Sequence, residues 1–277
     1  MYLEQYLKFP GFLSKAVTLS YDDGRIEDVR LVETMRKYGL KGTLNLNSSR
    51  IYPEGNEYHP ALAQFQEFAK GGDIEIAVHG VKHLLLTKFP PTLITREILS
   101  DREALEKMFG TTVRGMAYAY GVYNDEIAEI LRLCGIVYAR ITAPSENFKL
   151  PTDWLRLAPT CKHMHPELFD LADKFLAPYK GGAWNDGPSL FYLWGHSYEF
   201  NRDNNWDVIE RFGEKMAERS DVWHATNIEI YNYVQAFRNL VFTLDMSYVE
   251  NPSALDVYLN NGRTEVLAKA GEITRFM

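Results

Sequence analysis

Strand-type and helix-type segments alternate from end to end of this 277-residue chain, a pattern that predicts an α/β fold of seven βα units rather than a bundle or a sandwich. Two further observations agree. The predicted helices that precede Gly39, Gly110 and Gly135 each stop at the glycine, as a C-cap requires. Two polar motifs, Ser20-Tyr21-Asp22-Asp23-Gly24 and His79-Gly80-Val81-Lys82-His83, each follow an apolar run. Both therefore fall at the carboxyl ends of strands, where α/β folds keep their chemistry.

Taken in order, strands are predicted at residues 16–21, 42–47, 73–78, 114–118, 136–140, 190–194 and 222–226. Helices are predicted at 26–38, 92–109, 124–134, 166–175, 206–219 and 227–239, with Asn124 and Thr226 typed as N-caps. Together they fill a barrel domain over residues 1–240. After Leu240 the texture changes, and 241–244, 254–259 and 265–268 read as short strands around the turn Asn260-Asn261-Gly262. Residues 241–277 are expected to form a β-rich extension packed on the barrel. The least regular stretches, 142–162 and 180–189, read as loops at the rim of a site.

A hydrophobic content of 46% lets the chain bury a large core, and one domain is favoured over two. The formal net charge of -7 argues against nucleic acid or an anionic membrane as main partner and favours a neutral or cationic ligand. Two cysteines, Cys134 and Cys161, are too few for a disulfide framework and read as reduced thiols. No basic-then-apolar leader opens the sequence and no apolar run approaches spanning length, so the expectation is a soluble, cytoplasmic protein. Oligomeric state is not legible.

An aspartate just past a strand end, followed by glycine, can turn its carboxylate into a barrel mouth; the bland alternative is an acidic helix cap. His79 and His83 stand at i,i+4, which puts both imidazoles on one face of a helical turn. One carboxylate and two imidazoles suit a divalent metal, with a spare carboxylate beside it. That is the parts list of a metal hydrolase.

The order Tyr21-Asp22-Asp23-Gly24, His79 to His83, Ala117-Tyr118-Ala119-Tyr120-Gly121 and His196 resembles the polysaccharide deacetylase family, also called carbohydrate esterase family 4 or the NodB homology domain. The resemblance covers roughly residues 13–240 and implies a distorted (β/α)7 barrel, TIM-barrel-like in plan. It implies that Asp23, His79 and His83 hold a divalent ion, most often zinc. It also implies that Asp22 is the general base, that the Tyr120 backbone N–H stabilises the oxyanion, and that His196 is the general acid. The family's third motif carries an arginine that orients the base, and Ala117 stands there instead. Arg140, at the end of the next predicted strand, can reach the same carboxylate; the alternative is a surface arginine paired with solvent or Glu146. The family's fourth motif sets an aspartate beside a tryptophan to tune the acid histidine, and Asp153-Trp154 is its nearest match.

Sugar rings stack on aromatic faces, so Tyr118, Trp154, Trp184, Trp194 and Tyr198 are the substrate-binding candidates, with Trp184 on a glycine-rich loop as a platform. At least half of the aromatics near the mouth are expected to be core. Cys161, His163 and His165 could in principle ligate a metal, but the two histidines read rather as exposed imidazoles on a rim loop, and His224 either lines the pocket or packs on Trp223. The functional expectation is a metal-dependent deacetylase that removes an N-acetyl or O-acetyl group from a carbohydrate. An amidohydrolase on a small non-sugar amide and a non-catalytic carbohydrate-binding barrel are the alternatives.

Overall fold

The computed structural model describes residues 3–178, 187–217 and 219–277. A short β1 (Leu7–Lys8) precedes β2 (Lys15–Asp22), which is buried along its whole length. There follow α1 (Asp28–Lys37), β3 (Gly42–Leu46), α2 (Leu62–Ala69), β4 (Ile74–Val78), α3 (Pro91–Phe109), β5 (Gly115–Ala117), α4 (Asp125–Leu133) and β6 (Tyr138–Arg140). The second half contains β7 (Cys161–Lys162), α5 (Leu168–Leu176), β8 (Ser189–Gly195), α6 (Tyr198–Arg202), α7 (Asp207–Ala217), β9 (Val222–His224) and α8 (Asn227–Arg238). The small strands β10 (Val241–Phe242), β11 (Tyr248–Glu250), β12 (Val257–Asn260), β13 (Glu265–Ala268) and β14 (Ile273–Arg275) end the chain. Asn124 caps α4 by accepting from the Ile127 N–H, and Thr226 forms a capping box with Glu229 on α8.

The central sheet is parallel and runs β6-β5-β4-β3-β2-β8-β7, curled into a distorted (β/α)7 barrel. Two strands depart from the predicted set. β9 pairs only with Lys15 to Val17 of β2, on the edge that β3 leaves free because β3 pairs with Leu19 to Asp22. The seventh place is taken by β7, inside a stretch expected to be wholly loop. There Leu157 bonds to β6 through Ala139 O at 2.9 Å and Thr160 bonds to Tyr192 O of β8 at 2.8 Å, so one segment closes the barrel between β6 and β8. A two-residue strand is too short to give a period. α2 is also absent from the predicted set; only Phe65 and Phe68 are buried along it.

Alternation along these strands sorts apolar from polar side chains. Val17, Leu19 and Tyr21 of β2, Leu44 and Leu46 of β3, Ile74, Ile76 and Val78 of β4, and Phe191 and Leu193 of β8 belong to the core beneath the helices. The other face points inward and carries Thr18, Ser20 and Asp22, then Thr43 and Asn45, then Glu75, then Tyr138 and Arg140, then Tyr192 and Trp194. This polar interior is hydrogen-bonded throughout its lower half. Tyr138 donates to Glu75 at 2.6 Å, Thr43 donates to Glu75 at 2.9 Å, and Asn227 links Thr18 to Tyr192 at 3.0 and 2.8 Å.

β1 pairs antiparallel with β12, so the C-terminal β elements recruit the amino-terminal segment, and a second core joins Leu7, Phe9, Trp154, Tyr192, Tyr233, Val257 and Leu259. Both cysteines are free and buried. Among the described residues no helix is long and apolar enough to cross a membrane.

Candidate active site

The inward rows of β2, β4, β6 and β8 end at one mouth in Asp22, His79, Arg140 and His196. Asp22 is the last residue of β2, and Asp23 leaves the strand at a φ of 78°, which swings its carboxylate across the mouth. His83 and Tyr120 also have positive φ, at 55° and 60°. Such conformations are costly for residues with a Cβ and persist where surrounding bonds over-determine them. Here they do: Asp23 N–H is held by Asn45 O at 3.1 Å, and its carboxylate by Arg50 at 3.0 Å.

Asp23, His79 and His83 offer ligand atoms that all lie within 4.8 Å of one another. His79 Nδ1 lies 2.8 Å from Ala117 O, a pure acceptor, so this nitrogen carries the proton and Nε2 presents its lone pair. That Nε2 is buried without a hydrogen-bond partner and stands 3.9 Å from Asp23 Oδ1. An orphaned imidazole nitrogen beside a carboxylate and a second imidazole fits a divalent cation. Burial lowers the pKa of His79, outweighing the neighbouring carboxylates, and burial followed by the His79 charge lowers that of His83 to about 4. Both rings are thus neutral at pH 7, the form that binds metal.

The loop that carries the two histidines is tied down from two sides. Asn47 Nδ2 donates to His79 O at 3.0 Å and Gly80 O at 2.7 Å, while α3 sends Asp101 to the His79 N–H at 3.1 Å and Glu97 to the Lys82 N–H at 2.7 Å. Burial pushes Asp101 up to about 6.

Asp22 is held at both carboxylate oxygens. Asn45 Nδ2 donates to Oδ1 at 2.8 Å, and Arg140 Nη2 donates to Oδ2. Arg140 is 0% exposed, with its guanidinium 4.3 Å from the Trp194 ring, so the surface-arginine alternative does not apply. Burial favours the protonated acid, but the charges of Arg140, His79 and His196 together with the Asn45 bond hold Asp22 below the ordinary carboxylate value.

His196 Nε2 stands 3.9 Å from Asp22 Oδ2 and 3.9 Å from Asp23 Oδ2. Its other nitrogen faces Glu199, with Nδ1 to Oε2 at 3.5 Å. Burial alone would lower this imidazole, yet the Glu199 bond and the Asp22 charge raise it above its ordinary value. Glu199, the second residue of α6, also accepts from Lys162 at 2.6 Å and lies 3.4 Å from His163 Nε2. Although burial disfavours its charge, the His196 and Lys162 hydrogen bonds hold Glu199 at about 2. Asp153 is elsewhere: it pairs with Arg156 and caps the Leu155 N–H at 2.9 Å, far from the role that its neighbour Trp154 suggested.

The aromatic candidates divide. Tyr198 reaches the mouth, its ring 5.3 Å from that of His196, and Tyr120 is 62% exposed with its ring 4.5 Å from His83. Trp194 lies beneath Arg140. Two expectations are corrected, because Tyr118 is buried with its hydroxyl on Leu155 O at 2.9 Å, and Trp154 is buried in the second core against Tyr231 at 5.2 Å. Trp184 lies outside the described residues. His163 is likewise no rim residue. It is buried between Tyr21 and Phe200, at 5.7 and 4.2 Å, and burial lowers it to about 3. Gly195 makes that possible, since a Cβ there would stand 2.0 Å from His163 Nδ1. His165 is half-buried, 3.4 Å from Glu146, and His224 bonds Gly39 O at 2.8 Å.

Sequence reasoning did not single out Asn45, Asn47, Asp101 or Glu199. The first two were detectable, because Thr43-Leu44-Asn45-Leu46-Asn47 alternates polar with apolar and so aims both amides into the barrel. Glu97 and Asp101 stand at i,i+4 on the face of α3 that also buries Ile94, Ile98 and Leu105, a pair of carboxylates where apolar residues are due. Glu199 stands three residues past His196, at the spacing of one helical turn.

Residues 12–139 match the family model described as polysaccharide deacetylase. No curated protein matches the chain in sequence. Among solved structures, a putative polysaccharide deacetylase from Mycobacterium smegmatis superposes with a TM-score of 0.63 at 17% identity, over 84% of this chain and 94% of that one. IcaB from Ammonifex degensii matches with a TM-score of 0.50 at 18% identity, over 62% and 78%. The Streptococcus pyogenes deacetylase PplD is 25% identical with a TM-score of 0.46, over 50% of this chain and 59% of its own. The chain thus spans under two thirds of PplD.

Proposed function

We propose that this protein is a metal-dependent hydrolase that removes an acetyl group from an N-acetylated sugar, a reading supported by the match of residues 12–139 to the polysaccharide deacetylase family model. One observation carries the reading: a carboxylate held low and an imidazole held high stand 3.9 Å apart beside an Asp-His-His cluster at the same barrel mouth. Groups whose surroundings push their pKa values apart are suited to be base and acid.

A divalent ion on Asp23, His79 and His83, zinc by the donor set, would supply Lewis-acid polarisation of the acetyl carbonyl and acidify a water molecule. Asp22 Oδ2 would take the proton of the attacking water. Arg140 and Asn45 fix that carboxylate so that it does not turn toward its neighbours. His196, whose protonated form the Glu199 and Asp22 carboxylates favour, would give its Nε2 proton to the amine that leaves as the C–N bond breaks. Glu199 orients the ring from Nδ1. The backbone N–H of Tyr120, on the positive-φ turn beside His83, is assigned to the oxyanion. Products are acetate and the free amino sugar.

The test is acetate release from a panel of N-acetylated and O-acetylated sugars and small amides, with and without chelator, on the wild type and Asp22→Asn. Chelator-sensitive release from a sugar, lost in Asp22→Asn, is expected. Release that resists the chelator would sink the metal mechanism. Release from small amides alone would replace the sugar as substrate.

A further inference from the structure

Arg25 stands apart from the other arginines at the mouth. Arg140 is paired with Asp22, Arg50 with Asp23 at 3.0 Å and Arg202 with Asp203 at 2.7 Å. Arg25 has no ion pair among the described residues, and its Nε is buried without a hydrogen-bond partner. Its guanidinium instead sits between two rings, 5.3 Å from Tyr198 and 5.5 Å from Tyr58. An arginine stacked on aromatic faces keeps its planar edge of N–H donors free to meet a carboxylate or phosphate.

The cradle is built rather than incidental. The loop that carries Tyr58 is tied to the Arg25 segment on both sides, by the Ile26 N–H to Tyr58 O at 2.8 Å and by His59 Nδ1 to Gly24 O at 2.7 Å. Tyr198 is fixed by its place at the start of α6, and its ring stands 5.3 Å from the Arg25 guanidinium and 5.3 Å from the His196 ring. One ring therefore contacts both His196 and Arg25, which places the guanidinium beside the mouth. The formal charge of the chain is -7, and against that background Arg25 is a guanidinium without an ion pair held beside the mouth.

We propose that Arg25, held between Tyr58 and Tyr198, binds an anionic substituent next to the acetylated sugar, which makes the substrate class an acidic amino-sugar polymer rather than a neutral one. This rests on the deacetylase reading above. A guanidinium serves carboxylate and phosphate alike, so both are included; such a ligand departs from the neutral or cationic one that net charge alone favours.

The experiment measures binding by calorimetry to the full chain loaded with zinc. The ligands are matched N-acetylated amino-sugar oligomers that are neutral, carry a carboxylate on the flanking ring, or carry a phosphate there. One charge-assisted hydrogen bond corresponds to about tenfold or more in affinity. The wild type should bind one or both anionic oligomers at least that much more tightly, and the arm that does so names the source. Arg25→Gln should shrink the ratio toward one, and Arg25→Lys should keep part of it. Equal binding of neutral and anionic oligomers by the wild type overturns the proposal, as does a ratio that survives Arg25→Gln. Acetate release measured in parallel reports on the deacetylase reading separately, because the binding ratio is read whether or not turnover occurs.

Discussion

Replacing Arg140 with methionine isolates the role of its charge. Methionine refills much of the volume against Trp194 while removing the guanidinium that donates to Asp22 Oδ2. Asp22 is left as a buried carboxylate whose remaining donor is the neutral amide of Asn45 at 2.8 Å. Breaking a buried pair by removing one partner costs about 3–5 kcal/mol. With Asn45 still bonded and His79 and His196 close by, the lower end, about 3 kcal/mol, is expected. Burial is the largest influence on Asp22, and with the leading opposing charge gone its pKa must rise. The acid limb of kcat/KM therefore moves to higher pH, and turnover at neutral pH falls by about 10²-fold, within the usual range for a general base. The assay is acetate release against pH, with denaturant unfolding of Arg140→Met, Asp22→Asn and the double variant. In the Asp22→Asn background the carboxylate is gone, so Arg140→Met should cost less stability by about 2 kcal/mol. An unmoved acid limb together with additive stabilities would refute the argument.

Other expectations follow from the same geometry. His79→Ala and Asp23→Asn should abolish high-affinity zinc binding in calorimetry, whereas Asp22→Asn should retain it, since Asp22 is bonded to Arg140 and Asn45 and belongs outside the three-residue cluster. Glu199→Gln keeps the shape but weakens the hold on His196 Nδ1, so kcat should fall about tenfold with KM little changed; a rise in KM alone would assign Glu199 to binding. Gly195→Ala should destabilise the protein by about 1–3 kcal/mol through the clash with His163, read as a lower denaturation midpoint. Burial raises Asp28 to about 8, so the folded state keeps a proton that the unfolded state has lost. Its contribution is complete below the ordinary carboxylate range and is lost as pH climbs toward 8; Asp28→Asn should flatten that decline, and an unchanged pH profile of Tm would count against it.

Much of the fold is legible because period and punctuation are local properties. The glycines after α1, α3 and α4 and the caps at Asn124 and Thr226 mark helix ends from composition alone. β7 is not legible, since two residues carry no alternation and its pairing with β8 depends on how Leu157 has already met β6. The aromatic candidates suffered for a related reason. Tyr118 and Trp154 sit near strand ends like true mouth residues, but which side of the sheet a ring faces depends on register and on what packs there.

By itself the sequence determined the βα alternation, the two polar motifs at strand ends and the residue types able to hold a metal, because each depends only on neighbours along the chain. Which carboxylate is free for a proton, and what holds it, was decided by tertiary structure. Asp22 and Arg140 are 118 residues apart, Asp22 and Asn45 are 23 apart, and His196 reaches both aspartates only when β8 pairs with β2. Such contacts depend on which strands become neighbours, and the pattern within one strand does not carry that information.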